Sequence, residues 1–405
     1  MRKIMILGGN VAQIPLIEAA KREGYYVVLV DYTTTNPGIP LADKHYQVNF
    51  MDREEVLKIA EREQVEGVIS NSEPAMTVVA YISQKRGLVG NTLESVQNIS
   101  SKMDFRRLQK KVGAYAPEHI VTASFEEALQ QIEKLTFPII LKPGKSSGSR
   151  GTTKVADRAD FQNCRENWEA CSRFSMDARV VLEEFVEMQI PGRAIEAEVF
   201  VCNGQYLWDG LFTNERRLDA LELPMTNIFP PMLSDGQTAE VKQTVQQLLD
   251  GAGITFGEYN IELFYTPANR LFCIEINPRQ GGCGMPELVQ KYSGADMHKL
   301  LVTTAMGDNV YFEKLLQEQR KGRFVVRQEV FSREDGILQQ LFIAPELCPF
   351  VIDIHYSRKP GDPVRAVRMA GDIVAWVDLA FESRRQQLDH LKQIKEEIYP
   401  IVKTK

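Results

Sequence analysis

The chain has few of the features that organise small or membrane-bound proteins. Its six cysteines in 405 residues (Cys164, Cys171, Cys202, Cys273, Cys283 and Cys348) include no CxxC pair, and no histidine stands at zinc-ligand spacing from them. A zinc scaffold and a disulfide framework are thereby excluded, and free thiols in a reducing cytoplasm are expected. No apolar run approaches the roughly 18 to 20 residues that a membrane-spanning helix requires. Met1–Leu7 runs into Gly8-Gly9-Asn10 without a small-residue cleavage site, so it reads as a first strand and not a signal peptide. A net charge of -6 argues against a general nucleic-acid or acidic-membrane surface. There is also no tandem repeat of about 20 to 50 residues, no GxxxxGK[ST] loop and no GxGxxG. What is left is a soluble, cytoplasmic protein of two to four domains that acts on small molecules, with 44% hydrophobic residues to build its cores.

Strand and helix patterns alternate over about the first 95 residues: Lys3–Leu7, then Gln13–Arg22, Tyr26–Val30, Arg53–Glu63, Gly67–Ser70 and Ala75–Lys85. That alternation predicts a doubly wound parallel sheet. Ser101–Val112 and Ser124–Leu135 read as helices and Phe137–Leu141 as a strand. They lead to KPGKSSGSRG at Lys142–Gly151, a flexible polar loop. Further strands are expected at Val180–Val186 and Glu198–Val201, a helix at Ala239–Asp250, and a hairpin of Tyr259–Tyr265 with Arg270–Ile276. Short β-like segments and a charged helix near Ser383–Glu397 suggest a small α+β cap at the carboxyl end.

On the hairpin, Glu262 lies on one strand, and Glu275 and Asn277, two apart on the next, share a face. Three oxygen ligands suit Mg²⁺, which takes hard oxygens and keeps sites for substrate phosphates. Polar alternation on a solvated sheet is the plain alternative. The Asn-Pro-Arg-Gln-Gly-Gly run weighs for a site, because it adds a turn and bare backbone donors after the acidic strand, and Arg279 is a fork for phosphate or carboxylate. Lys142 ends an apolar strand before Ser146, Ser147 and Gly148, where backbone N–H groups could cradle phosphate; a simple flexible turn is the other reading. Gly8-Gly9-Asn10 with Asp31 hints weakly at a dinucleotide site, hence a dehydrogenase. Cys283 between two glycines invites the idea of a nucleophile, but no base for it is identifiable.

In order along the chain, Lys102, FPIILKP with its Ser/Gly loop, VLEEFV, and IELFY followed by CIEINPRQGG resemble the motifs of the ATP-grasp superfamily. The resemblance covers essentially the whole chain and implies an ATP-grasp fold preceded by a doubly wound domain like that of biotin carboxylase-like members. It implies a substrate-side domain at 1–100, a lid at 101–184, a core with the metal site at 185–315 and the cap at 316–405. It implies that Lys102, Lys142, Ser146, Ser147 and Gly148 bind ATP phosphates, that Glu183, Glu184 and Val186 contact adenine partly through backbone, and that Glu262, Glu275 and Asn277 hold Mg²⁺ or Mn²⁺. Arg279 and Lys142 would steady the transferred phosphoryl group. Where relatives carry a ribose-binding glutamate after Gly-x, this chain has Ala194, which leaves that contact open among Glu187, Glu196 and Glu198. The arrangement resembles carboxylate-amine ligases, including L-amino-acid ligases, which join a carboxylate to an amine through an acyl phosphate with release of ADP. A purine-biosynthesis-type ligase or carboxylase and a catalytically silent nucleotide-binding regulator are the alternatives. The family suggests a homodimer, and neither nucleic acid nor membrane is expected as a partner.

Overall fold

The computed structural model describes residues 1–144, 151–175, 177–218, 223–318, 320 and 322–404. Lys3–Leu7, Tyr26–Asp31, Lys44–Gln47 and Gly67–Ile69 form a parallel sheet in the spatial order third, second, first, fourth. Successive residues of the first strand enter two different cores. Ile4 and Ile6 pack with Leu16 and Ile17 of the helix Ile14–Arg22. Met5 and Leu7 pack with Val56, Ile59 and Val79 of the helices Arg53–Glu63 and Met76–Arg86. Because side chains alternate along a strand and both faces are covered, the strand is apolar throughout. This is the doubly wound sheet that the alternation predicts.

A second sheet, antiparallel, contains His119–Thr122, Val180–Glu184, Ile139–Pro143 and Thr153–Val155 in that spatial order. Phe125 and Trp168, from the helices Phe125–Gln131 and Arg165–Phe174, meet edge to face beneath it at 5.6 Å. The helix Lys102–Lys111 belongs elsewhere. Its Phe105 and Leu108 pack with Val245, Leu248 and Leu249 of the capped helix Asp235–Ala252. The segment 101–184 therefore divides between the lid sheet and the core.

The core is one eight-stranded sheet running in order through Leu271–Asn277, Phe256–Tyr265, Arg193–Cys202, Gln205–Arg216, Pro224–Phe229, Phe324–Phe331, Ile373–Phe381 and Val351–Tyr356. The α+β carboxy-terminal segment supplies the last three strands, so it continues this sheet edge to edge. Ile195, Ala197, Val199 and Val201 point to the helix Asp235–Ala252. The alternate residues Glu196 and Glu198 point the other way, yet both are buried. That acidic face is the floor of a cleft between the lid sheet and the amino-terminal domain.

Gly67 fixes how that domain docks, since a Cβ there would lie 2.8 Å from Met306 Sδ and 2.9 Å from the Ala305 carbonyl oxygen. Gly67→Ala should cost about 1–3 kcal/mol, visible as a lower melting temperature. An unchanged melting curve would mean that this packing is not tight.

Candidate active site

Glu262 and Glu275 are direct cross-strand partners in the hairpin, and Asn260 pairs with Asn277. Asn277 Nδ2 donates to Glu275 Oε1 and to Asn260 Oδ1, each at 3.2 Å. Glu262 Oε2 accepts from Arg216 Nη2 at 2.8 Å, and the same nitrogen reaches Glu196 Oε1 at 3.3 Å. The three expected metal-side residues are thus on one face, with Arg216 and Glu196 beside them. Burial pushes the Glu275 carboxyl up, but Lys102, Asn277, Lys142 and Arg279 together outweigh it and hold it below the usual carboxylate range. Of the expected site residues, Asn277 thus contacts Glu275, and the charges of Lys102, Lys142 and Arg279 act on it.

The opposite wall carries a buried charge chain. Glu183 accepts from Arg106 Nε at 3.0 Å and pairs with Lys142 Nζ, with Arg106 and Glu183 both 2% exposed. Burial raises the Glu183 carboxyl, but Arg106 and Lys142 reverse that and hold it far below the ordinary range. The Glu183 side chain is thus committed to protein cations. Glu184 accepts from the Thr136 backbone N–H at 2.8 Å, and Val186 is half-buried just beyond the strand. Backbone is what this segment has left to offer a ligand. Ser146, Ser147 and Gly148 lie outside the described residues.

At the substrate end, Arg279 Nη1 donates to the Gln280 carbonyl at 2.9 Å, and Arg279 Nη2 lies 3.7 Å from Glu73 of the amino-terminal domain. Gln280 links three elements. Its Nε2 donates to Glu258 Oε2 at 2.7 Å, and its Oε1 takes Asn71 Nδ2 at 2.8 Å and stands 2.9 Å from His298 Nδ1. Gly281 N donates to Glu198 Oε2 at 2.9 Å, and a Cβ there would sit 2.0 Å from Glu198 Oε1, so only glycine fits. Cys283 is exposed on its loop, and among the described residues no base is hydrogen-bonded to its thiol, so nothing in the site activates it as a nucleophile. The dinucleotide hint also fails. Gly9 N already donates to Asp31 Oδ2 at 2.6 Å, so the chain's own carboxylate fills the place where a phosphate would be cradled.

Residues 135–287 match the ATP-grasp domain family, and residues 4–92 match the PylC-like amino-terminal domain family. The chain carries an ATP-grasp domain behind a PylC-like amino-terminal domain. It is 27% identical over 308 residues to a formate-dependent phosphoribosylglycinamide formyltransferase of Rhodococcus jostii (strain RHA1), an alignment covering 73% of each protein. Among solved structures, an L-amino acid ligase from Bacillus licheniformis superposes with a TM-score of 0.79 at 18% identity, covering 100% of this chain and 99% of that one. The biotin carboxylase domain dimer of Hydrogenobacter thermophilus 2-oxoglutarate carboxylase, in complex with MgADP, ADP and bicarbonate, superposes with a TM-score of 0.73 at 16% identity, covering 100% and 92%.

The ATP-grasp cleft has a donor set that suits Mg²⁺. Among the described residues no three His, Cys, Asp or Glu side chains converge, but two carboxylates and an amide on adjacent strands are what an ion needs that draws its other ligands from phosphates and water. Reading motifs missed Arg106, Arg216, Glu73 and Gln280. Only Gln280 had a local signal, since it sits inside NPRQGG. Of the three candidates for ribose, Glu198 is committed to the Gly281 loop and Glu187 is exposed, while Glu196 stands beside the hairpin.

The buried pair makes a stability prediction. Arg106→Met leaves Glu183 with one cation and should cost about 3–5 kcal/mol. Adding Glu183→Gln should recover part of that loss in denaturant melts. No recovery in the double variant would show that Arg106 acts through packing alone.

Proposed function

We propose that this ATP-grasp protein is an ADP-forming ligase that activates a carboxylate as an acyl phosphate and joins it to an amine. The positive charges of Lys102, Lys142 and Arg279 bearing on the half-buried Glu275, which Asn277 also contacts, carry this reading. Cations on two walls of one cleft can hold a polyphosphate against an acidic hairpin. Glu262, Glu275 and Asn277 hold Mg²⁺, or Mn²⁺ in its place, which when bound neutralises the β- and γ-phosphates. Lys142 and Arg279 offset charge on the transferring phosphoryl group, a stabilisation commonly worth about 3 kcal/mol. Closure of the lid sheet over the core excludes water from the acyl phosphate.

The amine is of amino-acid type and not a phosphoribosyl amine. In an open α/β sheet, ligands bind at the carboxyl ends of the strands. The loops there, residues 8–13, 31–38 and 70–75, contain no lysine or arginine. They present Glu73 instead, and Glu258 stands buried behind them, its carboxyl pushed up by burial and by Glu198. A ribose phosphate would find no cation on these loops. A free ammonium group would be welcomed. A cytoplasmic homodimer completes the proposal.

Coupled ADP release with Mg·ATP, read against a panel of amino-acid pairs and against phosphoribosylglycinamide with formate, separates these readings. Amino-acid pairs should stimulate release and the phosphoribosyl amine should not. Stimulation by the phosphoribosyl amine would reverse the assignment, and indifference to every pair would favour a silent regulator. Glu275→Gln should abolish stimulated release with little change in melting temperature, and Lys142→Ala should raise the KM for ATP and lower kcat together. Wild-type turnover in Glu275→Gln would refute the metal site.

A further inference from the structure

Glu329 lies on the strand Phe324–Phe331, two residues from Arg327 and so on the same face. Arg327 donates to the carbonyls of Cys283 and Gly284 at 2.7 and 2.8 Å and is braced by Asp378 at 2.7 Å. That face therefore looks onto the loop that follows Arg279. Glu329 is 5% exposed, yet among the described residues no cation lies within 4 Å of its carboxylate, and the Asn227 amide is the one neutral donor turned towards it. The groups facing it are Arg327 on its own strand, Glu196 and Arg216 across the sheet, Asn227 on the adjoining strand and the Cys283 thiol on the loop. Asn227 is fully buried, and its amide nitrogen meets no acceptor at hydrogen-bonding distance.

A buried carboxyl with no cation in contact is costly unless a ligand completes it. Burial, opposed by Arg327, pushes the carboxyl up to about 8, a range suited to exchanging a proton with an amine near neutral pH. The hairpin residues already account for the phosphates, and nothing else in the cleft has been given the amine's proton.

We propose that Glu329 is the proton acceptor for the attacking amine, an assignment that rests on the ligase reading above. The amine arrives as ammonium, and its positive charge favours the ionised carboxylate. One N–H bond then breaks and its proton passes to a Glu329 oxygen. The freed electron pair forms the C–N bond at the carbonyl carbon of the acyl phosphate. The C–O bond to the phosphorus-bound oxygen breaks, inorganic phosphate leaves with those electrons, and it takes up the second N–H proton, so that the nitrogen ends as a neutral amide.

Hydroxylamine, uncharged at neutral pH, needs no base to become a nucleophile, so it isolates this step. With Mg·ATP and the amino acids that most stimulate ADP release, the wild type should give amide, and hydroxamate when hydroxylamine is supplied. In Glu329→Gln, amide formation should fall about 100-fold while hydroxamate formation persists. The residual amide rate should climb about tenfold per pH unit as free amine accumulates, and Glu329→Asp should restore part of the loss. An undiminished amide rate, or equal loss of amide and hydroxamate, would overturn the assignment while leaving the ligase intact. Absence of hydroxamate in the wild type would instead remove the ligase reading and this inference with it.

Discussion

The contact on which the cleft depends is the buried guanidinium of Arg106. From the helix Lys102–Lys111 it grips Glu183 of the lid sheet and also donates to the Ile274 carbonyl of the acidic hairpin at 3.0 Å and to Gln109 Oε1 at 2.8 Å. One side chain thereby ties together the helix that begins with Lys102, the lid strand opposite Lys142, and the strand that carries Glu275. A planar fork of five donors is suited to this in a way that a lysine is not. Since a buried ion pair returns little net stability compared with apolar packing, its value here lies in geometry. It sets the spacing of the two charged walls.

A second set of contacts fixes the loop after Arg279. Glu198 takes the Gly281 N–H, Gln280 bridges to Asn71, Glu258 and His298, and Arg327 with Asp378 holds the carbonyls of Cys283 and Gly284. These partners come from the amino-terminal domain, the core and the carboxy-terminal strands in turn. Three parts of the chain therefore converge on about five residues, and the position of Arg279 is determined by all of them. Supporting contacts of this kind are what hold a reactive geometry to within a fraction of an ångström.

Local periodicity told a great deal about the fold and about one half of the site. Lys3–Leu7 and the hairpin strands stand out because a buried parallel strand is apolar throughout and a half-polar one alternates. Period two is also what put Glu262, Glu275 and Asn277 on one face. The remainder is long-range. Arg106 and Glu183 are 77 residues apart, and Arg216 and Glu262 are 46 apart, so no spacing rule joins them. The expected separate cap was invisible as sheet extension, because which strand edges pair is not written in a strand's own composition. Glu329 likewise looks like any polar residue of an alternating strand until its burial and the lack, among the described residues, of a cation in contact with it are seen together.

The most direct test of the acyl-phosphate account follows the oxygen atoms. A carboxylate substrate labelled with ¹⁸O should transfer one labelled oxygen to the inorganic phosphate released in each turnover, because the carboxylate oxygen that attacks the γ-phosphorus leaves with it. Mass spectrometry of the phosphate reads this without regard to which amine is used. One ¹⁸O per phosphate is the predicted result, and unlabelled phosphate accompanying amide product would contradict the account.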